Sequence, residues 1–225
     1  MADFAVIGAG RMGAAFCARL TGLGHSVIIG SRNPDSDAMQ ETLAGIDGSC
    51  TVSSIADAAE QGNVVILTVP YSALTETLGA MGELDGKIVI DVANALTMGP
   101  DGNMTMASDT SAAEELQAAK PGAKVVKAFN TIGFHMIRQP DLLGGPVSTM
   151  LAGADADAKA RVAAIAGNLG FEAVDVGPLR LARYIEGMSA LYLAPYLQGR
   201  KDSAFEYYLR TGASPKESSG VRAAG

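Results

Sequence analysis

The sequence predicts an α/β fold, in which helices cover both faces of a doubly wound parallel sheet and a small C-terminal α/β unit follows. Two patterns predict it. Apolar runs of strand length alternate with segments of helical period, and the first apolar run leads into a glycine-rich turn. The composition agrees, because 48% hydrophobic residues, 18% charged residues and 27 glycines in 225 residues are typical of strands buried on both faces.

Six strands and five helices alternate over the first 130 residues. We predict the strands at 3–7, 25–29, 50–53, 63–69, 87–91 and 124–128. We predict the helices between them at 11–23, 35–44, 55–61, 72–81 and 111–119, with Gly, Ser, Asn or Pro at their ends. Six strands joined by five crossovers match the full doubly wound order.

The pattern changes after Asn130, where a loop rich in Gly and Pro leads into a second unit. Its predicted elements are strands at 147–152 and 171–176 and helices at 156–169 and 179–198. We therefore expect one domain over residues 1–130 and a small C-terminal domain over 131–212 that closes a substrate cleft. Residues 213–225, rich in Ser, Gly and Ala, are expected to form a mobile tail.

Charge and composition argue against several classes of protein. A formal net charge of −7, without any run of basic residues, argues against nucleic-acid binding. No positive segment precedes the first apolar run, which has only a strand's length, so we expect a cytoplasmic protein without a membrane partner. Cys17 and Cys50 form no C-x-x-C pair, and His25 and His135 have no ligand spacing, so we expect free thiols and no metal site.

The turn after the first strand has the spacing G-x-G-x-x-G. Its residues are Gly8, Ala9, Gly10, Arg11, Met12 and Gly13. The first glycine permits a tight turn, the second lets the backbone approach a pyrophosphate, and the third lets the helix pack closely on the strand. Free N–H groups at the helix N-terminus favour the anion. A strand before it and a helix after it favour a Rossmann-type dinucleotide site over a turn without a ligand.

The residues after the second strand favour NADP(H) over NAD(H). An NAD site places an acidic residue there for the ribose hydroxyls, whereas this chain has Ser31, Arg32 and Asn33. A hydroxyl and a guanidinium donate hydrogen bonds to a 2′-phosphate that a carboxylate would repel. Alternatively, Arg32 is a solvated surface residue and Asp35 reaches the ribose. The preferred interpretation makes residues 1–130 an NADP-binding domain.

Two further segments lie at carboxyl ends of predicted parallel strands, where open sheets bind ligands. Thr68, Val69, Pro70 and Tyr71 end the fourth strand, and we expect Pro70 and Tyr71 to form a wall beside the nicotinamide ribose. Ala93 and Asn94 follow the fifth strand, and Asn94 is a candidate to bind the carboxamide or the ribose. Strand termination and turn chemistry explain both segments equally well.

Several separated motifs, in the same order, make nearly the whole chain resemble the NADPH-dependent reductases of the deazaflavin coenzyme F420, also called F420-dependent NADP oxidoreductases. These motifs are the glycine turn, Gly30-Ser31-Arg32-Asn33-Pro34, Thr68-Val69-Pro70, Val125-Val126-Lys127-Ala128-Phe129-Asn130-Thr131, and Gly177-Pro178-Leu179 with Arg183-x-x-Glu186-x-x-Ser189.

The resemblance implies direct hydride transfer between nicotinamide and deazaflavin, with the two rings stacked in a cleft. It implies that Arg183 and Ser189 face the substrate ring, and that Arg183 stabilises its negative charge. The chain departs from some relatives at Asn130, where they carry His, and at Gly187, where they carry Ser. Both departures concern the second-substrate pocket, where Asn130 is a further substrate-facing candidate. Lys127, Arg138, Arg180 and Arg183 are the candidates for a basic rim.

Three functions stay open at the level of sequence. The first is an NADPH-dependent deazaflavin reductase. The second is a reductase of a flavin, of a ferric–flavin couple, or of a small carbonyl or imine compound. The third is an NADP(H)-binding redox sensor without turnover, because no side chain is an obvious general acid or base.

The apolar helix predicted at 179–198 is either core or a homodimer interface.

Overall fold

A computed structural model describes residues 1–46, 50–200, 202 and 205–210. The strands in these ranges are β1 (Ala2–Ile7), β2 (Val27–Ser31), β3 (Cys50–Ser54), β4 (Gly62–Leu67), β5 (Ile88–Asp91), β6 (Leu96–Met98), β7 (Met104–Met106), β8 (Lys124–Lys127), β9 (Ser148–Gly153) and β10 (Glu172–Gly177). The α-helices are α1 (Arg11–Gly22), α2 (Asp37–Ala44), α3 (Ile55–Gln61), α4 (Leu74–Ala80), α5 (Ala112–Ala119), α6 (Phe134–Arg138), α7 (Ala156–Leu169) and α8 (Ala182–Leu197).

Eight strands form one sheet in the order β3-β2-β1-β4-β5-β8-β9-β10. The first six of these strands are parallel and have the predicted doubly wound order, which confirms the fold class. Strand β9 runs antiparallel to β8, and β10 runs parallel to β9. The strands predicted for the second unit thus extend the sheet of the first. The division into domains stays a prediction, and the tail expected at 213–225 lies outside the described residues.

Every predicted element is present, with ends that differ from the prediction by at most three residues. Two elements were not predicted: the antiparallel hairpin of β6 and β7, and the short helix α6. Three-residue strands and a five-residue helix are too short to show a hydrophobic period. Both elements border the cleft described below.

Each face of the sheet packs against its own helices because side chains alternate along the strands. In β1, Phe4 and Val6 face one core, which is completed by α1, α2, α6 and α7. Ala5 and Ile7 face the other core, which is completed by α3, α4, α5 and α8. The strands are therefore apolar on both faces, as the sequence composition suggested.

Local signals explain where several helices begin and end. Asp155 caps α7 by accepting a hydrogen bond from the amide of Ala158, and Gly170 ends that helix in the left-handed region at φ 99°. Ser111 and Glu114 form a capping box at the start of α5. No helix in the described part of the chain has both the length and the apolarity to cross a membrane. Cys17 and Cys50 are free thiols.

The segment 205–210 lies against β9, α6 and α8. The amide of Ser148 donates to the carbonyl of Tyr207 at 2.8 Å, and the amide of Leu209 donates to the Ser148 hydroxyl at 2.9 Å. The side chain of Glu206, which precedes Tyr207, is only 7% exposed, accepts from the Tyr192 hydroxyl at 3.1 Å and lies 3.7 Å from His135 Nε2. Burial raises the pKa of Glu206 to about 7.

We expect Glu206 to make the stability depend on pH. Its folded pKa lies above the unfolded value, so the stabilisation from its protonated form is complete below about pH 4.5 and is lost as the pH rises through 7. Urea unfolding of the wild type and of E206Q is measured at pH 5 and pH 8. Between pH 5 and pH 8, the free energy of unfolding is expected to fall by about 2–3 kcal/mol more in the wild type than in E206Q.

His135 acts in the opposite direction, because burial lowers its pKa and its neutral form is favoured in the folded state. E206Q retains His135, so the difference between the two proteins reports the Glu206 carboxyl together with its effect on the neighbouring imidazole. Equal pH dependence of the two proteins would contradict the buried carboxyl group described here.

Candidate functional site

The glycine turn joins β1 to α1 with little free space on one side and open space on the other. Gly8 has φ +110°, a conformation that side chains other than glycine rarely adopt, and a Cβ on Gly13 would collide with the Gly8 carbonyl oxygen. A Cβ on Gly10 would meet nothing within 4 Å. No side chain caps α1, and its first turn has no acidic residue. The backbone N–H groups there are thus suited to bind an anion.

A cavity of about 350 Å³, which we name the cradle, lies between this turn, the end of β2 and the end of β4. Ser31, Arg32 and Asn33 line it together with Gly8, Ala9 and Gly10. Among the described residues no carboxylate lines the cradle, and Asp35 is outside it. Arg32 is exposed, and its Nη1 is 3.4 Å from Glu76 Oε2. An exposed pair at this distance is weak, so the guanidinium is available to a ligand.

Thr68 fixes the turn from the end of β4. Its hydroxyl lies 3.0 Å from the Ile7 carbonyl oxygen and 3.2 Å from that of Gly8, and it donates to these acceptors. Thr68, Val69 and Pro70 also line the second cavity, of about 440 Å³, which we name the chamber. Gly10 and these three residues line both cavities, so the cradle and the chamber adjoin each other, and together we call them the cleft.

The chamber is mostly apolar. Its lining residues are Gly10, Arg11, Met12, Thr68, Val69, Pro70, Tyr71, Val92, Ala93, Asn94, Leu96, Met104, Asn130, Phe134 and Leu193. Arg11 is the only charged residue in this set, and its guanidinium lies 5.0 Å from the centre of the Phe134 ring, in cation–π geometry. The chamber therefore suits a planar apolar group better than a highly charged one.

A hydrogen-bonded network of Asn94, Asn130 and Ser189 forms one wall of the chamber. Asn130 Nδ2 donates to Asn94 Oδ1 at 2.8 Å, and Ser189 Oγ lies 2.8 Å from the same oxygen. Ser189 Oγ and Asn130 Nδ2 are 3.0 Å apart. Ser189 is 1% exposed and supports the two asparagines from α8 without lining the cavity itself.

The backbone before Asn130 is strained. Phe129 has φ 60°, which is uncommon for a residue with a bulky side chain. Its ring packs edge-on between those of Phe16 and Phe171, and its amide donates to Thr149 Oγ1 at 2.7 Å. These contacts hold the turn at the end of β8 that directs Asn130 into the chamber wall.

Directly behind this wall lies a fully buried cluster of Lys127, Asp91 and Glu186. Lys127 Nζ lies 2.7 Å from Asp91 Oδ2 and 2.6 Å from Glu186 Oε1, and it also donates to the Ala93 carbonyl. The contact with Glu186 is an ion pair without the alignment of a hydrogen bond. Burial, the largest effect, raises the pKa of Asp91, and the nearby ammonium of Lys127 lowers it.

The cluster also fixes the backbone of the chamber wall. Asp91 Oδ1 accepts from the amide of Ala93 at 3.0 Å, and Glu186 Oε2 accepts from the amide of Ala95 at 2.7 Å. The same Glu186 oxygen accepts from the amide of Ala112 at 3.1 Å, at the start of α5. Strands β5 and β8 and helices α5 and α8 are therefore held together at the residues that flank Asn94.

The structure brings most of the predicted site residues together. Gly13 packs against Gly8 and lines neither cavity. Gly8, Ala9 and Ser31–Asn33 line the cradle, Gly10 and Thr68–Pro70 line both cavities, and Arg11, Met12, Tyr71, Ala93, Asn94 and Asn130 line the chamber. Arg183 is not among them, because its guanidinium binds Glu114 through two hydrogen bonds of 2.6 and 3.2 Å. The binding roles of these residues remain predictions.

The expected basic rim is not formed by the predicted residues. Lys127 is completely buried in the ion cluster, which is a correction, because an ammonium at the end of a buried strand requires carboxylate partners. Arg138 and Arg180 are exposed but line neither cavity. Of the arginines considered, only Arg11 of the glycine turn lines the chamber.

Sequence reasoning missed the apolar side of the chamber, formed by Leu96, Met104, Phe134 and Leu193. Leu96, Met104 and Phe134 belong to β6, β7 and α6, which are too short to be predicted from a hydrophobic period. Leu193 lies on α8, for which the sequence left open whether the apolar surface is core or a dimer interface. The sequence does contain an indication of the ion cluster, because Asp91 and Lys127 are charged residues at the ends of two apolar strands. In the structure these two strands are neighbours, and the two residues are in register. Charged residues at such positions need each other as partners.

Comparison with known proteins gives consistent results. Residues 3–95 match the family model described as "NADP oxidoreductase coenzyme F420-dependent". The F420-dependent NADP reductase of Methanocaldococcus jannaschii is 31% identical over 201 residues, which cover 83% of this chain and 88% of that protein.

A metalloreductase and a crystal structure extend the comparison. Metalloreductase STEAP3 of Rattus norvegicus is 29% identical over 183 residues, which cover 81% of this chain but only 35% of that longer protein. A crystal structure from Arthrobacter sp. FB24, assigned as an F420-dependent NADP reductase, superposes with a TM-score of 0.83 at 28% identity. It covers 93% of this chain and 100% of its own.

We expect Lys127→Met to reduce the free energy of unfolding by about 3–5 kcal/mol, because it leaves two buried carboxylates without a cation. Urea unfolding followed by circular dichroism measures the loss.

Lys124→Met is the matched control. Lys124 lies on the same strand and pairs with Asp155 at 2.9 Å, but 41% of its side chain is exposed. We expect Lys124→Met to reduce the free energy of unfolding by less than about 1 kcal/mol. Equal losses for the two variants would contradict the structural importance of the buried cluster.

Proposed function

The chain belongs to the family of F420-dependent NADP oxidoreductases, and on that premise we propose that it transfers a hydride directly between the nicotinamide of NADP(H) and a deazaflavin of the F420 type. The observation that carries the proposal is the pair of adjoining cavities, in which the cradle contains a turn suited to an anion and the chamber is mostly apolar. When bound, NADPH supplies the hydride, so the chain's residues have to bind, orient and shield the two rings.

The residues of the cradle fit NADP(H). The open space beyond Gly10 and the uncapped N-terminus of α1 leave room and donors for a pyrophosphate. Ser31 and Arg32 offer donors for a 2′-phosphate.

The chamber favours a flavin-like acceptor over a carbonyl or imine compound. Reduction of a carbonyl or imine requires a proton donor at the atom beside the one that receives the hydride. No carboxylate or histidine lines the chamber among the described residues. Tyr71 lines it, but its hydroxyl donates to Glu115 at 2.8 Å, and burial together with that contact raises its pKa. Hydride transfer to a deazaflavin carbon needs no donor there.

Two alternatives are kept because specific observations favour them. The similarity to metalloreductase STEAP3 supports reduction of a flavin or of a ferric–flavin couple. The absence of an acid or base from the described chamber lining also suits a redox sensor that binds NADP(H) without turnover.

Anaerobic spectroscopy tests the proposal. The protein is mixed with NADPH and either F420 or FMN, and the absorbance of the acceptor is followed. We expect rapid reduction of F420 and slow reduction of FMN. Faster reduction of FMN would favour the flavin alternative, and tight NADPH binding without reduction of either acceptor would favour the sensor.

The assignment of NADP(H) makes a prediction for Arg32. We expect R32A to bind NADPH about 10- to 100-fold more weakly, because a charge-assisted hydrogen bond to the 2′-phosphate is lost. Binding of NADH, which lacks that phosphate, should change little. Titration calorimetry measures both. R180A, which removes an exposed arginine outside the cleft, is the control, and equal effects of the two variants on NADPH would exclude Arg32 from the phosphate site.

We also propose that the protein is a homodimer. Tyr184, Gly187, Met188 and Leu191 form one stripe of α8, on which Tyr184 is 67% and Leu191 63% exposed. Exposed Met98 and Met106 of the adjacent hairpin extend this apolar surface. Light scattering should give twice the chain mass of 23.0 kDa, and L191E should give one chain mass. A monomeric wild type would rule out this proposal.

A further inference from the structure

Cys17 and Cys50, the only two cysteines of the chain, meet on one face of the sheet. Cys50 is the first residue of β3 and lies in register with Val27 of β2, whose side chain belongs to the core covered by α1. Residues in register on neighbouring strands point to the same side of a sheet, so the Cys50 side chain faces α1. Cys17 lies on α1 and is completely buried in the same core, against which Cys50 packs.

The two thiols are close enough to change each other's acidity. A hydrogen-bonding interaction with Cys17 is the main cause that lowers the pKa of Cys50. The same interaction, together with burial, raises the pKa of Cys17 well above its usual value. The thiolate, not the thiol, is the nucleophile in cysteine chemistry. Cys50 is therefore the more reactive of the two residues, and Cys17 keeps its proton.

The accessibility of the two sulfur atoms has the same order. Cys17 is 0% exposed, whereas Cys50 is only partly buried, at the start of an edge strand of the sheet. A small oxidant dissolved in water therefore reaches Cys50 first. Cys17 lies behind it in the core, where its reaction partner is the Cys50 sulfur.

The thiol pair lies outside the cleft. Neither cysteine lines the cradle or the chamber. A metal site does not explain the pair either, because the described residues contain no group of three His, Cys, Asp or Glu side chains that could hold an ion. Chemistry at this pair is thus independent of the proposed function.

We propose that Cys17 and Cys50 form an oxidation site, at which a hydroperoxide converts the two thiols into an intramolecular disulfide. The Cys50 thiolate attacks a peroxide oxygen and the O–O bond breaks, so that Cys50 becomes a sulfenic acid. The hydroxide that leaves takes up the proton that Cys50 had released. The Cys17 sulfur then attacks the Cys50 sulfur, the S–O bond breaks, and the oxygen leaves with the Cys17 proton as water. The two thiols lose two electrons, and hydrogen peroxide gains them as it becomes two molecules of water.

Thiol counting in the folded protein tests the site. The reduced full chain is treated with a small excess of hydrogen peroxide, unfolded in the presence of N-ethylmaleimide and analysed by mass spectrometry. We expect two labelled thiols before oxidation, none after it, and two again after reduction with dithiothreitol. The ten methionines can also gain oxygen from peroxide, so the number of labels is the readout and not the total mass. On a non-reducing gel the oxidised protein should run as a single chain of 23.0 kDa.

Two single variants separate the roles of the thiols. C17S has no partner for the oxidised sulfur, so we expect the sulfenic acid of Cys50 to accumulate and to react with dimedone. C50S lacks the reactive thiol, so dimedone labelling should be about tenfold lower than in C17S, and Cys17 should still react with N-ethylmaleimide after unfolding. C17A, which places an apolar side chain in the core, has the same expected result if C17S fails to fold.

Three outcomes would overturn the inference. The first is a folded wild type that keeps both labels after peroxide treatment, and the second is a loss of labels that comes only from disulfides between chains. The third is dimedone labelling of C50S that equals or exceeds that of C17S, which would contradict the order assigned to the two thiols. None of these outcomes affects the proposed function, which is tested by the reduction of F420 or FMN.

Discussion

The ammonium group of Lys127 joins the central sheet to the last helix. Its Nζ lies within 2.7 Å of Asp91 and Glu186 and donates to the Ala93 carbonyl, and the side chains of Lys127, Asp91 and Glu186 are fully buried. An ion pair buried this deeply contributes little net stability compared with apolar residues, but removal of one partner leaves an uncompensated charge. The cluster therefore specifies one arrangement of β5, β8, α5 and α8.

The cleft depends on that arrangement. Asp91 and Glu186 accept from the amides of Ala93 and Ala95, so the loop that bears Asn94 is held at both ends. Ser189, one turn beyond Glu186 on α8, completes the asparagine network of the wall. A displacement of α8 would disturb the ion cluster and the wall together. The buried ion cluster and the shape of the chamber therefore depend on the same helix.

A cleft of this kind suits chemistry that the bound molecules carry themselves. The glycine turn provides backbone donors, the chamber provides apolar surface, and few polar side chains line the chamber. Orientation and exclusion of water are then the main contributions of the protein. The absence of a catalytic carboxylate or histidine from the described lining of the chamber is consistent with that division of labour.

The sequence by itself determined the order of the first six strands and the glycine turn, because these depend on hydrophobic period and on residues close together in the chain. Only the tertiary structure decided the other side of the cleft. Lys127 and Arg183 are both basic residues in matched motifs, yet one is buried with two carboxylates and the other binds Glu114. Asn94 and Asn130 are both asparagines at strand ends, yet the amide oxygen of Asn94 accepts hydrogen bonds, whereas that of Asn130 is buried without a donor among the described residues. Such differences depend on partners that lie 36 to 95 residues away in the chain, and no local pattern encodes them.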